Sequence, residues 1–213
     1  MLKADFHIHS KYSMDSTTSL EQIIGACQRK GINCISVADH GAIEGALRIK
    51  EIAPFYVVVG EEILTTRGEI IGLFLEELVP SHLSLEESIQ RIKAQGGLVC
   101  VPHPFDGLRG SALGPVTLNE IAAQIDMVEV FNARSPLLRF SEQARTFARE
   151  HHLPGTAGSD AHAAYEIGNA FVEMPEFKGK EDFLQSLAQG RIHGRRTNPL
   201  SRLRSIWARV RHI

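Results

Sequence analysis

The feature that most constrains this 213-residue chain is the alternation of short apolar runs with amphipathic stretches. Strands that alternate with helices form a mainly parallel sheet covered on both faces. The pattern therefore predicts an α/β fold, and both an open doubly wound sheet and a closed barrel fit it. The predicted strands are residues 3–9, 32–38, 56–59, 63–66, 69–75, 98–101, 127–131, 155–157 and 170–173, with 63–66 and 69–75 as a hairpin. The predicted helices are one between Thr18 and Gly31, and residues 43–52, 84–95, 117–124, 136–151 and 180–189.

Two local signals predict where helices begin and end. Thr18, with Glu21 three residues later, has the spacing of a capping box, and Gly31 is a natural helix stop. Pro136 takes an early position in the helix predicted over residues 136–151.

Composition excludes several classes of protein. No apolar run approaches the ~20 residues that a membrane span needs. The three cysteines, Cys27, Cys34 and Cys100, are scattered and odd in number, which argues against a disulfide framework. We therefore expect a protein of the reducing cytoplasm.

Charge is distributed unevenly along the chain. Residues 191–213 contain seven arginines and no acidic residue, so residues 1–190 carry a net charge of −9. We expect one catalytic body over residues 1–190 and a basic amphipathic tail over residues 191–213. Such a tail could lie on an anionic membrane surface, bind nucleic-acid phosphates or pack on its own acidic body. Its apolar residues recur at spacings of three and four: Leu200, Leu203, Ile206, Trp207, Val210 and Ile213.

Residue types that bind metal ions recur just past the ends of the predicted strands. In α/β barrels that end of the strands forms the active site, so we expect these side chains to meet in one cleft. Strand alternation would place Asp5, His7 and His9 on one face, with Phe6 and Ile8 on the other. The strand-end residues are His7, His9, Asp39, His40, Glu62, His103, Asn132, Asp160 and His162.

The donor set indicates the class of metal and of chemistry. Histidine and carboxylate without thiolate suit Zn, Mn or Fe, and the donors outnumber what one ion uses, so we expect two or three ions. Clustered ions can activate water and stabilise charge on phosphate oxygens. The sequence has no Gly-x-Ser-x-Gly elbow, no P-loop and no Gly-x-Gly-x-x-Gly motif.

Five motifs, in this order and with similar spacing, resemble those of the PHP superfamily, named for polymerase and histidinol phosphatase. The resemblance spans about residues 3–175. It implies an irregular (β/α)7 barrel with a trinuclear metal site at the C-terminal ends of the strands. The motifs are Asp5-Phe6-His7-Ile8-His9-Ser10, Ala38-Asp39-His40, Gly60-Glu61-Glu62, Val101-Pro102-His103-Pro104 and Gly158-Ser159-Asp160-Ala161-His162.

The resemblance also implies a role for each matching residue. Glu62, favoured over Glu61, would bridge two ions and take part in catalysis, and Asp39 would orient a ligand or manage protons. Where the family has a further histidine for the second ion, this chain offers Glu69 and Asn132. The implied ligands are His7, His9, Glu62 and Asp160 for the first ion, Glu62 and His103 for the second, and Asp15, His40 and His162 for the third.

A phosphorylated substrate needs cations beyond the metal ions. Arg134, Arg109 and Asn132 are the candidates for binding its phosphate, and Ser10 and Tyr12 lie in a loop that could touch it. We predict a metal-dependent phosphoesterase that acts on nucleotides, small phosphorylated metabolites or short oligonucleotides. The alternatives are a metal-stabilised binding module without turnover and a metal-dependent hydrolase of C–N bonds.

Overall fold

The predicted strands lie in one nine-stranded sheet in the computed structural model, which describes residues 1–198. The strands predicted over residues 56–59 and 63–66 form one continuous strand, and a strand past residue 190 was not predicted. Six helices accompany the sheet in this part of the chain. The strands are β1 (Leu2–Ile8), β2 (Cys34–His40), β3 (Tyr56–Thr65), β4 (Gly68–Leu73), β5 (Leu98–Val101), β6 (Met127–Asn132), β7 (Gly155–Gly158), β8 (Ala170–Met174) and β9 (Arg191–Gly194). The helices are α1 (Leu20–Lys30), α2 (Glu44–Ile52), α3 (Leu85–Ala94), α4 (Gly114–Ile121), α5 (Leu138–Glu150) and α6 (Lys180–Ala188).

The sheet closes on itself between its first and seventh strands. Its order is β7-β6-β5-β4-β3-β2-β1-β8-β9, with β4 antiparallel to both of its neighbours. Ile8 at the end of β1 pairs in parallel with Ala161, just past β7, and the His9 N–H donates to the Ala161 carbonyl at 2.9 Å. The irregular seven-stranded α/β barrel is therefore confirmed, and the open-sheet alternative is excluded.

Two apolar layers hold the barrel together. Residues of α1 to α5, such as Ile23 and Ile49, pack on the outer face of the sheet. A second, inner cluster takes one to three residues from the opposite face of strands β1 to β8, and Phe183 of α6 packs edge-on against Phe6 within it. Fully burying a large apolar side chain stabilises the fold by about 1.5–3 kcal/mol. These layers therefore give the strand ends a rigid support.

A bulge in β1 changes which side chains share a face. Asp5 pairs with Ile35, but Ile8 pairs with Val37, so β1 advances three residues while β2 advances two. Phe6 packs in the inner cluster and Ile8 in the outer one. The prediction that Phe6 and Ile8 share one face was wrong, because it assumed strict alternation and a bulge shifts the alternation by one residue.

The first helix begins one residue later than predicted. Its N-cap is Ser19, which forms a capping box with Gln22, whereas the Thr18 hydroxyl donates to the carbonyl of His162 at 3.0 Å. The Thr18 cap was wrong because this hydroxyl holds a loop of the candidate site instead. Gly31 ends the helix in the left-handed conformation, as predicted.

Pro136 does not belong to a helix, contrary to the prediction. Helix α5 begins at Leu138, and the carbonyl of Pro136 accepts a hydrogen bond from Arg196 at 2.5 Å. Proline takes an early helical position in α4 instead, at Pro115.

The sheet continues past residue 190. Strand β9 pairs antiparallel with β8, and β8 pairs antiparallel with β1. Residues 191–194, which we assigned to the tail, thus belong to the sheet, and they run in the same direction as β1. The apolar residues of the predicted tail, from Leu200 onward, lie outside the described residues. No helix in the described part is long and apolar enough to cross a membrane.

The closure of the barrel requires a residue without a side chain at Gly158. A Cβ atom there would lie 2.2 Å from the Cβ of His7 and 2.6 Å from Oε1 of Glu129. We expect Gly158→Ala to lower the free energy of unfolding of the metal-free protein by about 1–3 kcal/mol or more. Thermal unfolding measures this change. The control is Gly107→Ala, where a Cβ would meet no atom within 4 Å. Equal melting temperatures for the two variants would contradict the prediction.

Candidate metal centre

Histidine and carboxylate side chains converge at the C-terminal ends of the barrel strands. Within residues 1–198 they form three groups of donor atoms, and within each group the atoms lie within 4.8 Å of one another. The first group is His7, His9 and Asp160, the second is His7, Glu62 and His103, and the third is His9, Asp15, His40 and His162. The structure thus brings together all eight residues predicted as ligands.

The first group has the spacing of donors around one ion. Nε2 of His7 and Nε2 of His9 lie 3.1 Å apart, and Oδ1 of Asp160 lies 3.4 Å from the latter. Oε2 of Glu62 lies 3.2 Å from the His7 nitrogen and 3.3 Å from that of His9. Donors at about 2.0–2.2 Å from a tetrahedral Zn²⁺ would be about 3.3–3.6 Å apart. The four predicted ligands of the first ion therefore fit a divalent cation.

Glu62 connects the first and second groups. While its Oε2 faces His7 and His9, its Oε1 lies 3.1 Å from Nε2 of His103. Burial raises the pKa of Glu62, but the neighbouring charges of His7 and His40 more than offset this and hold the pKa well below its usual value. Glu62 is thus a charged carboxylate with one oxygen available to each group. The adjacent Glu61 belongs to neither group, because its Oε2 accepts from the Val79 N–H at 2.9 Å.

Glu69 is placed beside the second group. Its Oε2 lies 3.8 Å from Nε2 of His103, and its Oε1 lies 3.8 Å from Nδ1 of His40. Burial and the nearby Glu62 charge raise the pKa of Glu69. Of the two residues left open for the second ion, Glu69 is thus the one whose carboxylate reaches the predicted ligands.

Asn132 is turned toward acidic neighbours. Its side-chain N–H groups donate to Oε2 of Glu129 at 2.9 Å and to Oδ2 of Asp160 at 3.2 Å. Its oxygen accepts from the backbone N–H of Arg134 at 2.9 Å. These contacts position Asp160 and the loop after β6.

The third group is built around Asp15. Oδ2 of Asp15 lies 3.1 Å from Nε2 of His162 and 3.5 Å from Nε2 of His40. Burial raises the pKa of Asp15, but hydrogen bonds from these two histidines lower it far more, so the carboxylate is charged. Burial and the nearby His162 lower the pKa of His9 to about 3, which leaves a neutral imidazole with a lone pair for a metal ion.

Hydroxyl groups fix the loop that carries Asp15. The Ser13 hydroxyl donates to Oδ1 of Asp15 at 2.8 Å. Ser16 donates to the carbonyl of His162 at 3.1 Å, alongside the Thr18 hydrogen bond described above. The loops after β1 and β7 are therefore held against each other, which keeps the third group together.

Glu129 is a site residue that the sequence reasoning missed. Its Oε1 lies 3.1 Å from Nδ1 of His7, and its Oε2 accepts from the backbone N–H of His103 at 2.8 Å. A carboxylate at the far nitrogen of a histidine fixes the ring so that the other nitrogen faces the metal. The available signal was a single charged residue within the otherwise apolar run Met127-Val128-Glu129-Val130-Phe131.

Asp39 does not join any of the three groups. Its Oδ1 accepts from the Ser10 N–H and its Oδ2 from the Ser10 hydroxyl, both at 2.6 Å, and burial raises its pKa to about 6. Adjacent residues of a strand point to opposite faces, so while His40 reaches the cluster, Asp39 faces α2, where a Cβ on Gly45 would lie 2.3 Å from its Oδ2. This carboxylate positions Ser10, the residue that follows His9, and the catalytic role of Asp39 stays a prediction.

Asp5 and Tyr12 also have partners that the sequence did not reveal. Oδ1 of Asp5 accepts from the Ser159 N–H at 2.9 Å, so Asp5 holds the loop after β7 rather than a histidine ring. The Tyr12 ring lies near two cations, with Nζ of Lys11 at 5.6 Å and the guanidinium of Arg48 at 5.7 Å from its centroid.

The two arginines predicted to bind substrate each contact a predicted metal ligand. Arg109 donates to Oδ2 of Asp160 at 2.5 Å and to Oδ2 of Asp106 at 3.2 Å. Burial raises the pKa of Asp160, but the charges of Arg109 and His7 and the hydrogen bond from His9 together hold the pKa well below its usual value. Arg134 contacts Nδ1 of His162. Arg109 is therefore a partner of a predicted ligand, and Arg134 lies at the edge of the third group.

Comparisons with known proteins identify the family. The family model described as PHP domain matches residues 5–76, and the one described as PHP-associated matches residues 139–192. Two uncharacterized proteins of Methanocaldococcus jannaschii are similar in sequence. MJ1587 is 42% identical over 145 residues, 62% of this chain and 82% of that protein. MJ0417 is 33% identical over 178 residues, 82% of this chain and 71% of that protein.

The chain belongs to the PHP superfamily. Two solved structures share the PHP-like fold. A two-domain protein of Bacteroides vulgatus, described as containing a predicted PHP-like metal-dependent phosphoesterase, superposes with a TM-score of 0.73 at 19% identity, over 91% of this chain and 65% of that one. PsfC of Pseudomonas syringae superposes with a TM-score of 0.69 at 17% identity, over 100% of this chain and 99% of that one. Membership of the PHP superfamily and the three donor groups together support a metal-dependent hydrolase.

The position of Glu129 predicts an effect on metal affinity. We expect Glu129→Gln to weaken the binding of Mn²⁺ or Zn²⁺ by about 10- to 100-fold, because the His7 ring loses the carboxylate that orients it. Calorimetric titration of metal-free protein measures the affinity. Glu142→Gln on the exposed face of α5 is the matched control. Unchanged affinity in a Glu129→Gln protein that melts like the wild type would show that Glu129 is not needed to orient the ring.

Proposed function

We propose that this PHP protein hydrolyses phosphate monoesters with the help of two or three divalent metal ions. The observation that carries the proposal is the shared carboxylate of Glu62, with one oxygen beside His7 and His9 and the other beside His103. A carboxylate in that position can bridge two ions, which is the arrangement used to hydrolyse phosphate esters.

The residues that would hold the ions are those of the three groups, with Glu69 beside the second. The tight spacing of the Nε2 atoms of His7 and His9, and the neutral ring of His9, fit a cation between them. The carboxylates also favour positive charge here: they outweigh the effect of burial and raise the pKa of His40 to about 9. The donor set suits Zn, Mn or Fe. Bound ions would supply an acidified water and stabilise charge on phosphate oxygens.

Side chains of the protein would bind the substrate phosphate and hold the metal ligands in position. Arg134, beside the third group, is the candidate for binding the substrate phosphate with its planar guanidinium. The contacts of Arg109 with Asp160 and Asp106 suit it to hold Asp160 in place rather than to bind substrate. Asn132 supports the same carboxylate through its side-chain amide.

Small phosphorylated metabolites, nucleotides and short oligonucleotides are the proposed substrate classes. The description of the Bacteroides vulgatus protein as a predicted PHP-like metal-dependent phosphoesterase supports the reaction class. The complete set of donors disfavours a binding module without turnover. A C–N hydrolase would use the same metal groups, and Arg134 at the edge of the site is the feature that favours a phosphate over an amide.

The activity can be tested with a panel of substrates on protein reconstituted with Mn²⁺ or Zn²⁺. The panel contains p-nitrophenyl phosphate, histidinol phosphate, nucleoside mono- and bisphosphates, short oligonucleotides and an amide series. We expect metal-dependent phosphate release that a chelator abolishes. Amide cleavage without phosphate release would assign the C–N reaction, and no turnover despite two or more bound ions per chain would assign a binding module.

Variants connect this activity to the metal centre. We expect His9→Ala and Asp160→Ala each to lower kcat/KM by about 100-fold or more, because each removes a donor from the first group. The control is His193→Ala, since the His193 ring is half exposed and pairs with Glu173 away from the centre. Phosphate release that persists in both site variants would separate the activity from these groups.

A further inference from the structure

Two loops at the catalytic end of the barrel expose three leucines. Leu108 follows β5, and Leu137 and Leu138 follow β6; their side chains are 66%, 37% and 54% exposed. The loops are joined, since the Ser135 hydroxyl donates to Oδ2 of Asp106 at 3.1 Å. We call Leu108, Leu137 and Leu138 the mouth patch. Exposed apolar residues grouped beside a functional site are typical of a surface that something covers.

The last described residues of the chain arrive at the mouth patch. Strand β9 runs in the same direction as β1, so the chain leaves it at the catalytic end. The Thr197 N–H donates to the carbonyl of Ala133 at 2.7 Å, and Arg196 donates to the carbonyl of Pro136 at 2.5 Å. These contacts fix the chain against the loop that continues into Leu137. The described chain therefore ends beside the loop that carries Leu137.

The sequence beyond this point has one apolar face. Six apolar residues recur at spacings of three and four, and in helical form residues 200–213 would extend over about 20 Å. The same segment carries four arginines and no acidic residue. The apolar residues are Leu200, Leu203, Ile206, Trp207, Val210 and Ile213.

We propose that the mouth patch is the docking surface for residues 199–213 of the same chain. A competing surface exists on the outer side of α5, where a cavity of about 460 Å³ is lined by apolar residues such as Leu153 and Ile192. Arg145, Arg149 and Glu142 also line that cavity, so its charged groups are positive by one and do not favour a segment whose formal charges are all positive. The mouth patch directly continues the loop to which Arg196 and Thr197 are hydrogen-bonded. Docking there brings the arginines of the segment to the entrance of the metal centre.

Trp207 provides a direct test, because it is the only tryptophan in the chain. With the full-length protein, we expect its fluorescence emission at a shorter wavelength than that of an exposed indole. In the double variant Leu137→Ser/Leu138→Ser, the emission should move to longer wavelength and the acrylamide quenching constant should rise about two-fold. The control is Ile52→Ser, at the end of α2, where the side chain is equally exposed. Circular dichroism verifies that each variant is folded.

Four results would overturn the proposal. One is a fully exposed Trp207 in the wild-type protein. Another is a protected Trp207 that the Leu137→Ser/Leu138→Ser variant leaves unchanged. A third is an emission shift that depends on protein concentration, which would assign the segment to a second copy. The fourth is protection that develops only with phosphatidylglycerol vesicles or an oligonucleotide, which would assign it to a membrane or a nucleic acid.

Discussion

The concentration of buried carboxylates at one end of the barrel is the constraint on which the rest of this structure depends. Glu62, Asp160 and Asp15 are almost fully buried. Histidine nitrogens lie within 4.8 Å of each carboxylate, so a positive charge placed among them interacts with more than one of these groups. Burying such groups without a counter-charge costs several kcal/mol per ion. The protein offsets part of this with Arg109, which pairs with Asp160. The remaining negative potential makes this end of the barrel a site for cations, and the PHP superfamily is a metal-dependent one.

The backbone shows how the fold accommodates this cluster. A bulge in β1 lets Phe6 stay in the inner core while His7 and His9 reach the same ligand group. The absence of a side chain at Gly158 allows the loop after β7 to approach His7 closely, and the pairing of Ile8 with Ala161 closes the barrel there. The same closure brings Asp160 to within ligand distance of His9. The metal centre therefore lies at the seam of the barrel.

Periodicity predicted the α/β class and placed seven of the eight clustered residues at strand ends, because strand-end positions depend on connectivity. The choice of a barrel and the inclusion of Asp15 came from the resemblance to the PHP superfamily. Sequence reasoning did not reveal properties that depend on how distant parts of the chain pack against one another. Glu129 was missed because its sequence neighbours do not show which side chain it contacts: its partner, His7, lies on another strand. The contact of Asp39 with Ser10 was not foreseen, because the strand face decides which of two neighbouring residues points toward the cluster. The Thr18 cap failed because a tertiary contact to His162 took the hydroxyl.

The central claim is that Glu62 holds two ions together, and the number of ions bound per chain tests it most directly. Equilibrium dialysis of metal-free protein against Mn²⁺ measures that number for the wild type, for Glu62→Gln and for Glu61→Gln. Glu61 is a matched control, since it is equally buried on the same strand but contacts the Val79 N–H instead. The account predicts two or three ions in the wild type and in Glu61→Gln, and at least one fewer in Glu62→Gln. The same number of ions, bound with the same affinity, in all three proteins would contradict it.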